Sequence, residues 1–123
     1  MSMLFTFLLM VFFHIVDDYY LQGWLSSAKQ KKWWQDNAPQ SLYKYDYLVA
    51  LFMHSFSWTF MIMLPLAIRA HFNPNTLFLI LFVMNIAIHS FVDDLKANRK
   101  RINLIVDQSI HMVQIIITFS LLV

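Results

Sequence analysis

Three histidine–aspartate pairs recur at a spacing of four residues: His14 with Asp18, His89 with Asp93, and Asp107 with His111. On an α-helix that spacing puts both side chains on one face, about 40° apart. A further histidine, His54, stands alone in an apolar stretch. Imidazole nitrogens and carboxylate oxygens together suit zinc, manganese, iron or nickel, whereas copper(I) would call for a thiolate or an inward methionine. Zinc is the default divalent cation for such a set. Asp17 lies about 60° to the other side of His14 and could join that face, while Asp94, about 140° from His89, is expected to cap or meet solvent. Two other readings use the same residues. They could form a proton- or cation-conducting polar core, or polar glue in which each Asp bonds the His of its own helix. Glue needs only a few hydrogen bonds, which Ser or Asn would supply at lower desolvation cost, so the repetition favours a bound divalent cation.

The elements that must position these residues follow from composition. Of 123 residues, 59% are hydrophobic and 13% charged, against about 25% charged in ordinary soluble proteins. That is a membrane composition. The absence of Cys excludes disulfide scaffolds, thiolate metal sites and cysteine nucleophiles. All seven acids are Asp, so signatures that need a Glu base are excluded as well. A spanning helix needs about 20 mostly apolar residues. Four stretches qualify, about Met3–Leu21, Leu48–Ile68, Thr76–Val92 and Ile102–Val123. The expected fold is therefore all-α, a four-helix transmembrane bundle forming a single domain over residues 1–123. No basic stretch precedes the first apolar run and no small-residue cleavage site follows it, so it reads as a span rather than a cleaved signal.

Orientation follows from the basic residues. Lys29, Lys31, Lys32 and Lys44 lie between the first two spans, and Lys96, Arg99, Lys100 and Arg101 between the last two, whereas only Arg69 lies between the middle two. Both basic loops are expected in the cytoplasm, with the termini on the other side of a bacterial inner membrane. The first loop also holds Trp33, Trp34, Tyr43, Tyr45 and Tyr47, which settle at headgroup level, and Pro39 argues against one continuous helix there. These clusters fit a lipid bilayer with anionic head groups at its cytoplasmic face better than nucleic acid. Lys29 and Lys96 sit where helices leave the membrane, positions suited to snorkelling or to an anionic group beside the site.

Depth brings the pairs together. At about 1.5 Å per residue, His54 and His111 lie roughly 9–14 Å inside the cytoplasmic boundary, His89 roughly 5–8 Å and His14 roughly 10 Å. Inward side chains at one level of a bundle meet in its core. The metal ligands expected are His14, Asp18, His54, His89, Asp93, Asp107 and His111, with any Asp one turn from a His able to orient that His instead of ligating. His71, beside Asn73-Pro74-Asn75, reads as a solvated loop residue.

The strings His14-Ile-Val-Asp17-Asp18-Tyr19-Tyr-Leu21-Gln22, Ala28-Lys29, His54, His89-Ser-Phe-Val-Asp93-Asp94-Leu-Lys96 and Asp107-Gln108-Ser-Ile-His111 resemble the bacterial and phage membrane family catalogued as domain of unknown function 3307. The resemblance spans His14 to His111. It implies a polar set of His14, Asp18, Gln22, Lys29, His54, His89, Asp93, Lys96, Asp107, Gln108 and His111. Asp17 departs from the small residue usual before that Asp, so either of the two adjacent carboxylates could do the family's work. The resemblance implies no particular reaction.

Three functional expectations remain open. One is a metal-dependent hydrolase of a membrane-proximal substrate, with Asp18 or Asp107 as the catalytic base. The second is a cation or proton binding and transport element, for which four short spans call for a homo-oligomer. The third is a membrane interaction protein whose His/Asp pairs only fix the bundle.

Overall fold

The computed structural model describes all 123 residues as an all-helical bundle. Helix α1 (Met3–Ile15) starts at Ser2, whose hydroxyl accepts from the Phe5 amide, and runs into a π-helical turn, Val16–Leu21. Two short helices, α2 (Leu25–Ala28) and α3 (Lys31–Asn37), and a 3₁₀ turn at Ser41–Tyr43 form the first loop, with α3 ending just before Pro39 as expected. Gly23 adopts φ +53 at the bend out of the π turn, a conformation that Gly takes without steric cost. Three long helices follow: α4 (Asp46–Arg69), α5 (Thr76–Ala97) and α6 (Leu104–Leu122). Asn75 and Asn103 cap α5 and α6 through their side-chain oxygens.

Helix α4 packs on α1 and α5, and α6 closes the ring against α5 and α1. Four helical segments are long and apolar enough to cross a membrane: Met3–Leu21, Ser41–Arg69, Thr76–Ala97 and Leu104–Leu122. The distribution of polarity agrees with that. Thirteen of the 25 buried residues are polar or charged, while large apolar side chains such as Leu4, Phe12, Val83 and Ile105 face outward. A soluble bundle would reverse this. Helix α5 runs on past the apolar stretch to Ala97 and so carries Asp93 and Lys96, which meet Lys29 and Asp107 of other segments.

The interior has two halves. The half near the basic loops is polar and holds the His/Asp residues. Toward the Arg69–Asn75 end lies an apolar cluster of Met10, Trp58, Ile62, Met63, Leu66, Phe78 and Ile115. Arg69 ties that end to the chain start by donating from Nη1 to the Met1 carbonyl at 2.7 Å.

Candidate metal centre

Six side chains from all four long helical segments converge in the polar half. The Nε2 atom of His54 lies 3.1 Å from Asp18 Oδ1 and 3.3 Å from Asp93 Oδ2. That of His89 lies 3.5 Å from Asp93 Oδ2, and that of His111 lies 3.3 Å from Asp107 Oδ1 and 3.5 Å from Asp93 Oδ1. Three overlapping trios have ligand atoms mutually within 4.8 Å: Asp18, His54 and His89; His89, Asp93 and His111; Asp18, Asp107 and His111. Donors bound to zinc at about 2.0–2.2 Å in a tetrahedral set are about 3.3–3.6 Å from one another. The separations given above, 3.1–3.5 Å, lie close to that interval, while His89 Nε2 and Asp18 Oδ1, members of one trio, stand 4.0 Å apart.

The rings are held from outside the cluster. His89 is sandwiched between Trp58 and His111, with ring centroids 4.2 Å and 4.1 Å away and both pairs 23° from parallel. The His111 tautomer follows from its neighbours. Gln114 Nε2 donates to the Asn85 side-chain and backbone oxygens, so Gln114 Oε1 is left to accept from His111 Nδ1 at 3.0 Å. With the proton on Nδ1, the Nε2 of a neutral His111 presents a lone pair toward the oxygens of Asp93 and Asp107. Lone pairs facing at that range need a proton or a metal cation between them. His89 Nε2, His111 Nε2 and Asp107 Oδ1 are all buried without a hydrogen-bond partner.

His14 stands outside the three trios and plays a different part. Trp58 Nε1, which can only donate, bonds His14 Nδ1 at 2.8 Å. The ring proton therefore sits on Nε2 and is donated to Gln108 Oε1 at 2.9 Å. That turns the Gln108 amide nitrogen toward Asp18 Oδ2 at 3.0 Å and Asp107 Oδ2 at 2.9 Å. Both His14 nitrogens are engaged. Its structural role is to orient Gln108, which in turn leaves Asp18 Oδ1 and Asp107 Oδ1 facing the cluster.

The adjacent carboxylates divide their work. Asp18 enters the cluster, while Asp17 is fully buried and accepts from the Ser57 hydroxyl at 2.5 Å. The π turn makes this possible, since its wider winding lets neighbouring side chains both face inward. Nor does Lys29 snorkel. Its ammonium donates to Asp93 Oδ2 at 3.1 Å with the side chain only 12% exposed, and Lys96 Nζ lies 3.8 Å from Asp107 Oδ2. Asp94 stays at the helix end with Asn98 and Arg99, as expected. A polar cleft of ≈ 360 Å³ lined by Gln22, Ser26, Lys29, Gln30 and Lys96 opens onto Asp93.

Sequence reasoning passed over Trp58, Asn85, Gln114 and Thr118. Helical spacing carried a signal for each: Trp58 is four residues after His54, Asn85 four before His89, Gln114 three after His111, and Thr118 four after Gln114. They extend the same inward faces. Asn85 Nδ2 donates to Thr118 Oγ1 at 2.8 Å, so a hydrogen-bonded file runs from His111 toward the apolar half and ends there.

Comparison with known proteins adds no relative: no family model, no curated protein and no solved structure matches the chain.

Proposed function

We propose that this chain is a four-span protein of the bacterial inner membrane, of the kind catalogued as domain of unknown function 3307, whose His/Asp core holds one divalent transition-metal cation, zinc by default, near the cytoplasmic face. The ligands are drawn from His54, His89, His111, Asp18, Asp93 and Asp107, with His14 as an orienting residue. The observation that carries the reading is the set of buried, unpartnered atoms His89 Nε2, His111 Nε2 and Asp107 Oδ1 turned into one space. Unsatisfied polar atoms in a low-dielectric interior demand a partner.

Charge favours one cation over two. The three carboxylates of the ligand set, Asp18, Asp93 and Asp107, face the two ammonium groups of Lys29 and Lys96. Uncompensated charge inside a bilayer costs several kcal/mol. With neutral imidazoles one divalent cation leaves the group a single charge from balance; a second would take it three charges away.

The chemistry we assign is hydrolysis of a membrane-proximal substrate reaching the centre through the polar cleft beside Asp93. A bound cation supplies a Lewis acid that brings the pKa of water toward about 7. Asp107, with Oδ1 unpartnered and Oδ2 held by Gln108, is placed to take the proton, while Asp18 stays among the ligands. The file through Gln114 and Asn85 to Thr118 favours a second reading, a proton-binding core in which two protons replace the cation. That file stops against the apolar cluster, which suits storage better than passage across the membrane.

The test is metal content by elemental mass spectrometry on detergent-purified protein, comparing wild type with His89→Ala and His111→Ala at matched helix content. The expected result is about one transition-metal ion per chain, lost in both variants. No metal in wild type after incubation with zinc would overturn the metal centre and leave the protonated core.

A further inference from the structure

The first loop builds a second cavity, separate from the His/Asp cluster. It encloses ≈ 500 Å³ between α3, the 3₁₀ turn and the start of α4, and its walls include Lys31, Trp34, Pro39, Tyr43, Lys44 and Tyr47. This volume lies within the range of small-molecule sites, roughly 300–1,000 Å³. Its walls are held in place by contacts outside it. Trp34 Nε1 donates to the Ala28 carbonyl at 2.7 Å, and the Lys31 amide to Asn98 Oδ1 at 2.7 Å, anchoring the segment to the end of α5. The Trp34 and Tyr43 rings lie nearly parallel, 19° apart with centroids at 6.2 Å.

Two ammonium groups line this cavity and neither has a carboxylate partner. Lys31 Nζ sits 4.9 Å from the Tyr47 ring centroid and Lys44 Nζ 5.4 Å from that of Tyr45. An aromatic face attracts a cation but leaves its charge in place. The neighbouring Lys32, by contrast, is paired with Asp36 at 2.9 Å. The cavity is thus a basic pocket with flat apolar walls and side-chain donors from Gln40 and Ser41 at its rim. It lies on the loop whose tryptophans and tyrosines suit the height of lipid head groups.

We propose that this cavity binds a phosphate ester anion, with the phosphate between Lys31 and Lys44 and the glycerol portion against Trp34 and Tyr43. The source on which we settle is the head group of an anionic phospholipid, since the pocket sits where the spans leave the membrane and combines charge with apolar wall. The inference does not depend on the metal centre.

Native mass spectrometry of the detergent-purified full chain tests it, with phosphatidylglycerol, phosphatidylcholine and sn-glycerol 3-phosphate titrated separately. One phosphatidylglycerol per chain is expected, in preference to phosphatidylcholine. Lys31→Gln and Lys44→Gln, both at exposed positions that leave folding intact, should each weaken it about five-fold, and together about 25-fold. Lys32→Gln should leave it unchanged. Glycerol phosphate binding as tightly as the lipid, with the same lysine dependence, would support the pocket and assign it to free phosphate esters. Wild-type affinity in the double variant, or an equal loss in Lys32→Gln, would overturn the proposal and attribute lipid retention to diffuse basic charge.

Discussion

The orienting chain from Trp58 through His14 and Gln108 makes a prediction that a plain cluster of ligands does not. Gln108→Leu keeps the side-chain volume close to native and removes the amide. It deletes two hydrogen bonds to carboxylates, at 3.0 Å to Asp18 and 2.9 Å to Asp107, and strands the His14 Nε2 proton. A hydrogen bond to a charged group is worth about 1.5–3 kcal/mol, and a stranded buried donor costs about 1–3 kcal/mol. Much of that loss falls equally on the cation-free and cation-bound protein and lowers stability alone. The remainder appears as affinity, because Asp18 and Asp107 are no longer held with Oδ1 toward the centre. Loss of such outer partners typically costs 10–100-fold in metal affinity, or about 1.4–2.8 kcal/mol. Competition with a chromogenic zinc chelator in detergent measures it, alongside unfolding temperature. His14→Phe should produce part of the same loss, and the two changes should be non-additive, since His14 acts through Gln108. Affinity within about three-fold of wild type in a folded Gln108→Leu protein, or full additivity of the pair, would refute the chain.

Two further outcomes are expected. Asp18→Asn should abolish stoichiometric metal retention, whereas Asp17→Asn, which can still accept from Ser57 and lies outside the ligand trios, should retain metal at reduced affinity; elemental analysis of the two proteins separates them. With no cysteine in the chain, single substitutions report topology directly: Asn73→Cys should react with a membrane-impermeant maleimide on intact cells, and Asn37→Cys only after permeabilisation. Labelling in the reverse order would invert the orientation and move the His/Asp centre to the outer face.

The level of the cluster was legible because a helix converts residue number into depth at about 1.5 Å per step. That arithmetic, applied to His54, His89 and His111, anticipated that residues far apart in the chain share one layer, and their side chains do meet. The pairing within the layer was hidden. His14 and Asp18 have the same spacing as His89 and Asp93, yet Asp18 bonds His54 and His14 bonds Trp58 and Gln108. A π turn begins between them at Val16 and re-aims everything after Ile15. No composition signal marks that turn, because its extra residue per turn is stabilised by contacts with α4 such as Ser57 to Asp17. The partners of Asp93 and Lys96 were hidden for a related reason. Asp93 and Lys96 lower local hydropathy, while their partners, Lys29 and Asp107, lie on other segments.

The cross-helix pairing also weighs against polar glue. Glue would close each Asp on the His of its own helix and leave no polar atom idle. His89 stays with Asp93 at 3.5 Å and His111 with Asp107 at 3.3 Å, but His14 and Asp18 part company, and six of the eight buried unpartnered side-chain atoms belong to Asp17, His54, His89, Asp107 and His111. The three carboxylates of the ligand set gather around neutral-capable imidazoles with only two lysines to balance them. Hydrogen bonds alone would be better served by fewer charges, since each buried carboxylate must be desolvated. A cluster that carries excess negative charge, keeps two imidazole Nε2 atoms unpartnered and has Trp58, His14 and Gln108 aiming carboxylate oxygens fits the proposed cation better than it fits glue.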